Sequence, residues 1–527
     1  MLIINNFIKE NYLILIILVI NSLFTIHIVW EYYPIFKDLD EAYLVNSGLR
    51  VLNNFYNNKS LDPEFYTWGS FPLYVSAILN SLLIFTKFFF FNVDNLSLEA
   101  FSYSIQRIDF HIINRLFSFL LMNVSIFIIY FFCKKNFNFF IAILASLILL
   151  ISPEYLYLST MATIDHWNVF FSVLIIYYSF EIYKNFQSTK NIVIYGIIIG
   201  ISVATKYFNI FFVIPFLTIC IEKIMNKEFP YKQIIILSIM ILFSFIITMP
   251  YSIINFHDFS NSVIGISKRY TGEGEFIYEN DLNNSYLILI KNFLSMSFIN
   301  FFISAFSLIS IVFLILKKKY YILITYPIIF CLFIGSFKLF SSANIISIIP
   351  YIAILSSIII YDLYIFINKK INKNYFFVIL FLLFLPSLNI NYIKIKNSFL
   401  EDTRYTSLKW IEQNINPEDQ ILAGHYSPPV WFLKNFKDKG KFWFQGELGK
   451  DKKYIKIGSD VKYVVFSSGF YGKYFNSDGS LKTKLKHEGI LFLNFFENNE
   501  LIKEFRPDYK KTTGLTIRIY LNNLYKD

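Results

Sequence analysis

The sequence predicts an α-helical polytopic membrane protein with a small α/β domain at its C-terminal end. Three observations predict it. Of 527 residues, 55% are hydrophobic and only 16% are charged, which is more apolar surface than a soluble core needs. Apolar runs of bilayer-spanning length recur over most of the chain. Beyond Lys396 they stop, and short amphipathic elements take over.

The runs fall at about 12–30, 110–133, 137–158, 166–183, 191–205, 207–222, 233–251, 298–316, 320–338, 345–366 and 376–392. No small-residue cleavage site follows the first, so it is expected to be a retained helix rather than a leader. Lys134-Lys135, Lys184/Lys190, Lys223/Lys227/Lys232, Lys317-Lys318-Lys319 and Lys369/Lys370/Lys373 occupy alternate gaps. Cytoplasmic placement of these gaps satisfies the positive-inside rule, and the loops near 159–165, 206, 252–297 and 339–344 are then outside. The run 71–90, "FPLYVSAILNSLLIFTKFFF", breaks that parity if it spans. A re-entrant or interfacial segment inside an outer loop, 31–109, restores it and leaves about eleven spanning helices. The alternative is a twelfth span.

The division expected is a membrane module over 1–395 and an outer α/β domain over 396–527. "DTRYTSLKWIEQNINPEDQ" reads as an amphipathic helix with Leu408, Ile411 and Ile415 on one face, stopped at Asn416-Pro417. "QILAGHY", "VKYVVFSS", "GILFLNFF" and "TGLTIRIYL" read as short strands between Gly, Asn and Asp turns.

The net charge is +11, but the basic residues are scattered or lie between apolar runs, which excludes a nucleic-acid-binding surface. Cys133, Cys220 and Cys331 all fall in apolar segments, so no disulfide framework supports the polar C-terminal part. Phosphate-binding glycine loops, G-x-S-x-G and H-E-x-x-H are absent, and the six His residues are dispersed. Neither an ATP-driven mechanism, a serine hydrolase nor a structural zinc has support.

Candidate chemistry sits at helix mouths. Asp38, Asp40 and Glu41 stand where the chain leaves its first span, in "FKDLDEAYLVNSGLRVLNN". Acids at a helix start also serve as caps, and that explanation is equally good from spacing alone. Asp165, with His166 beside it, opens the 166–183 run, and parity places it on the same membrane face as Asp40. Two acids bordering one cavity can perform acid/base work or hold a divalent cation. Arg115, Lys206, Lys268 and Arg269 fall on that face as well; singly such residues snorkel to headgroups, and together they suit a phosphate leaving group. A transporter or flippase of lipid-linked sugar would instead place its charges near the bilayer midplane on broken helices.

These segments, in order, resemble the GT-C class of lipid-dependent glycosyltransferases, in the branch around protein O-mannosyltransferases and aminoarabinose transferases. The resemblance rests on "DLDEAYLVNSGLRVLNN" with "YTWGSFPLYVSAIL", on "NRLFSFLLMNVSIFIIYFFCKKNF", on "SPEYLYLSTMATIDHWNVFF", and on "PYSIINFHDFSNSVIGISKRYTGEG" and "DTRYTSLKWIEQNI". It covers nearly the whole chain. It implies an inverting hexosyl- or pentosyltransferase that moves a sugar from a polyprenyl-phosphate donor to a hydroxyl of a lipid, protein or polysaccharide acceptor. It implies a bacterial cell membrane with the active site and C-terminal domain outside it. Asp40 would be the general base, Glu41 its partner, and Asp165 would orient the acceptor or a metal. Arg115, His166, Lys206, Lys268 and Arg269 would contact substrate. Two departures stand out: Gly69-Ser70 replace bulkier residues, and the family's basic residue near Ala343-Asn344 is absent, with Lys338 close by.

Overall fold

The structure, a computed structural model, describes residues 2–31, 38–91, 107–271, 285–338, 341–369, 373–424, 426–428, 430, 441–442, 457, 460–476, 479–482 and 486–523. The stretches 32–37 and 92–106 of the loop expected on the outer side lie outside the described residues. The chain divides into two compact units, one over 1–29 with 40–393 and the other over 30–39 with 394–527.

Each of the eleven apolar runs is helical. Among the described residues, six helices are long and apolar enough to cross a membrane, and Phe139–Ile151 with Pro153–Ser159 makes a seventh, bent by 64°. That bend has a local cause. Pro153 cannot donate to the preceding turn, so the 137–158 run, expected as one span, breaks at Ser152. The run 71–90 forms one unbroken helix, Phe71–Phe91, with no re-entrant turn inside it, which leaves the interfacial segment and the twelfth span as its two readings.

The runs 207–222 and 345–366 both begin as 3-10 turns, Tyr207–Val213 and Ser342–Ile348. Each then enters an α-helix with Pro in its first turn, Pro215 or Pro350, where a missing N–H costs no hydrogen bond. The helix Asp165–Lys184 runs between these turns. Asn209 Nδ2 donates to Asn168 Oδ1 at 2.9 Å, and Ser172 Oγ donates to the Ser347 carbonyl at 2.7 Å. In an apolar bundle such paired polar groups tie helices together.

Thr189–Val203 and Tyr231–Thr248 pack backbone to backbone. Gly196 and Gly200 make this possible, because a Cβ on Gly200 would come within 1.9 Å of Ser244 Oγ and 2.4 Å of the Ile241 carbonyl. The helix thus ends at a fixed height, and the turn 204–206 that follows carries Lys206.

Among the described residues, the C-terminal unit contains a five-stranded sheet in the order β2 (Lys441–Phe442), β1 (Ile421–Ala423), β3 (Tyr463–Ser467), β5 (Ile517–Leu521), β4 (Glu500–Phe505). β1, β2 and β3 are parallel, whereas β5 runs antiparallel to both its neighbours. The helix Thr403–Asn414 puts Leu408 and Ile411 into one core, joined by Ile415 just beyond it, with Val465, Ile517 and Ile519 from the sheet. One predicted strand is wrong: "GILFLNFF" belongs to the helix Lys486–Asn498. Its buried Leu491, Phe492 and Phe495 follow the i, i+1, i+4 spacing of a helix, and they pack against Phe466 and Tyr520.

Candidate active site

The first acidic motif folds as the start of the helix Leu39–Asn58, and its two acids diverge there. Consecutive helical side chains point about 100° apart, so Asp40 is exposed while Glu41 is fully buried. Arg115 meets Glu41 in a two-pronged ion pair, Nε to Oε1 at 2.9 Å and Nη2 to Oε2 at 2.7 Å. Arg115 Nη1 donates to the Val29 carbonyl at 3.0 Å, and the Ala162 amide donates to Glu41 Oε1 at 2.8 Å. Burial alone raises the carboxyl's pKa, but the Arg115 charge and hydrogen bonds outweigh it, with His111 and the Ala162 amide adding, so Glu41 is held below the usual carboxylate range.

Arg115, expected to contact substrate, is fully buried in its pair with Glu41. Glu41, expected as the partner of Asp40, accepts from Arg115 and Ala162, so the knot joins the end of the first helix, the helix that carries Asp40 and the 160–164 turn that leads into Asp165.

Asp165 begins its helix beside the second cation. Lys206 Nζ donates to Asp165 Oδ1 at 2.9 Å and to Asn344 Oδ1 at 3.3 Å. Burial pushes the ammonium's pKa down, but the Asp165 charge, with Tyr270 and Asp40 adding, carries it above the ordinary lysine range. Lys206 is therefore a fixed cation at neutral pH.

Asp40, Asp165, Lys206 and Arg269 all line one cavity of about 410 Å³. Trp68, Phe208, Tyr270 and Asn344 complete much of its wall. Sequence reasoning gave none of these four a role. Trp68 and Tyr270 lay inside quoted motifs, Asn344 was noted only where a basic residue is absent, and no local signal marks Phe208.

Three further expected contacts are not in the lining. His166 is buried, 100° round the helix from Asp165, and neither ring nitrogen has a hydrogen-bond partner among the described residues. Lys268 is exposed and outside the lining, as is Lys338, whose amide donates to the Tyr270 carbonyl at 2.9 Å.

Gly69 explains one departure noted in the sequence. The Gly69 amide donates to the Thr205 carbonyl at 3.3 Å and the Phe71 amide to the Ala204 carbonyl at 3.0 Å. A Cβ on Gly69 would stand 2.0 Å from that Ala204 oxygen, so only glycine lets the Trp68 loop meet the Lys206 turn. Tyr207 reinforces the clamp, its hydroxyl donating to the Tyr66 carbonyl at 2.7 Å. Gly69→Ala is expected to cost about 1–3 kcal/mol of strain. It should lower the melting temperature of detergent-solubilised protein by several degrees, and an unchanged melting curve would contradict the clamp.

Residues 107–253 match the family described as dolichyl-phosphate-mannose-protein mannosyltransferase. ArnT from Cupriavidus metallidurans bound to undecaprenyl phosphate superposes with TM-score 0.54 at 11% identity, over 99% of this chain and 99% of that one. The chain has the GT-C fold. AglB, the oligosaccharyltransferase of Archaeoglobus fulgidus, in complex with an inhibitory peptide and a dolichol-phosphate, gives TM-score 0.53 at 12% identity, over 94% of this chain and 80% of that one. The Archaeoglobus fulgidus oligosaccharyltransferase in complex with Zn and sulfate gives 0.51 at 12%, over 93% and 79%. No curated protein matches the chain.

Among the described residues, the carboxylates that line the cavity are Asp40 and Asp165, and an ion shared between them would sit against the Lys206 ammonium, a poor seat for a divalent cation. Among the described residues, no three His, Cys, Asp or Glu groups come together.

Proposed function

We propose that the chain transfers a sugar from a polyprenyl-phosphate donor to an acceptor hydroxyl on the outer face of a bacterial cell membrane, with inversion. The observation that carries this reading is the meeting of Asp40, Asp165, Lys206 and Arg269 in one cavity at helix mouths. Asp40 is the exposed carboxylate there and takes the hydroxyl proton as the acceptor oxygen attacks the anomeric carbon. The bond from that carbon to the phosphate oxygen breaks, and its electron pair stays with the lipid phosphate. Lys206 and Arg269 face the charge that develops on the leaving group. Asp165 holds Lys206 in place and neutralises it in part.

Inversion follows from having one base opposite one leaving group, without a covalent intermediate. The test supplies membranes holding the chain with a polyprenyl-phosphate sugar labelled in the sugar. Label should pass to an acceptor, and the product linkage should have the opposite anomeric configuration to the donor. Retained configuration would overturn the single-base mechanism, and label crossing the membrane without transfer would favour a flippase.

A further inference from the structure

We propose that Asn344 is a positioning residue for Lys206, its amide oxygen fixing the ammonium so that one N–H remains for the donor phosphate. The proposal rests on the transfer reading above.

Lys206 Nζ has three hydrogens. Asp165 takes one at 2.9 Å and Asn344 Oδ1 takes another at 3.3 Å. All three residues line the cavity, so the third hydrogen has the cavity as its outlet. Asn344 is itself well held. It is 8% exposed, in the 3-10 turn Ser342–Ile348, which Ser341 caps and which Ser342 Oγ ties to Glu154 Oε1 at 2.5 Å. The Tyr270 hydroxyl approaches the same Asn344 oxygen at 3.5 Å, which keeps the amide turned with its oxygen toward Lys206.

The chemistry favours an amide at this position. Among the described residues, two carboxylates and two cations line the cavity, so those charges balance before the donor arrives. A neutral acceptor can orient Lys206 without adding to the negative charge that the phosphate must meet. A carboxylate would hold the ammonium as well but repel the donor. A basic side chain would repel Lys206.

The test is a double-mutant cycle on donor-dependent transfer, read as kcat and donor KM separately. Asn344→Ala should lower kcat about 10-fold, the usual worth of one hydrogen bond to a charged group. In a Lys206→Ala background the same change should lower the residual rate less than twofold. Asn344→Asp should keep kcat near the wild-type value and raise donor KM about 10-fold. An equal loss from Asn344→Ala with and without Lys206 would overturn the proposal, since the residue would then act through the fold alone. Where Asn344→Ala does not accumulate in membranes, Asn344→Asp decides: an unchanged donor KM overturns the proposal. Full transfer by Lys206→Ala itself would instead sink the phosphate contact in the transfer reading, so the two failures are distinct.

Discussion

Asp40→Asn is expected to lower sugar transfer by about 10²–10⁴-fold, the usual contribution of a positioned general base. The substitution removes the proton acceptor and changes almost nothing else. Asn matches Asp in shape, and Asp40 is exposed at the cavity. The buried Glu41–Arg115 pair beside it keeps all its partners. Accumulation in membranes and melting behaviour should therefore match the wild type while transfer collapses. Asp165→Asn should do less, because it loosens Lys206 without removing the base, and Lys206 keeps its bond to Asn344. Initial rates with labelled donor, normalised to the amount of folded chain, decide the matter. An Asp40→Asn chain with full transfer would remove the base from the mechanism.

What the sequence made legible follows from the range of the forces involved. The eleven apolar runs are local signals, and each is helical, the 137–158 run as two helices that meet at Ser152. Asp40, Asp165, Lys206 and Arg269 were found because acids and bases at the ends of such runs are visible in one dimension, and they share one cavity. The pairing of Arg115 with Glu41 was not legible, because its partner lies 74 residues away and no pattern in the chain announces it. Asn344 was noted only as the place where a base is missing. Its hydrogen bond with Lys206 joins positions 138 apart in the chain. The helix Lys486–Asn498 was misjudged for a different reason: a short apolar run suits either period, and only the packing of Phe492 and Phe495 on Phe466 settles it.

Breaking the Glu41–Arg115 pair on one side is expected to cost about 3–5 kcal/mol, because an unpaired charge then remains buried. Arg115→Met and Glu41→Gln should each lower the melting temperature of solubilised protein sharply. Activity should fall with stability in both, since the pair sets the helix bearing Asp40 and, through Ala162, the turn entering Asp165. Replacing both partners with apolar side chains, Glu41→Leu with Arg115→Met, should recover much of the stability, because no buried charge is then left. The pH dependence separates the variants. In the wild type the Glu41 pKa is lowered on folding, so its contribution is fully present above the ordinary carboxylate value, about 4.3, and is lost only as pH falls through the lower folded value. The wild-type melting temperature should therefore not change on account of this pair between about pH 5 and pH 8. In Arg115→Met the sign reverses. Burial without a cation raises the Glu41 pKa, so that variant gains stability as pH falls and the carboxyl takes a proton. The gap between Arg115→Met and wild type should close as pH drops from 8 to 5. A gap that stays constant over that range would mean that Arg115 supports the fold by packing rather than by neutralising Glu41.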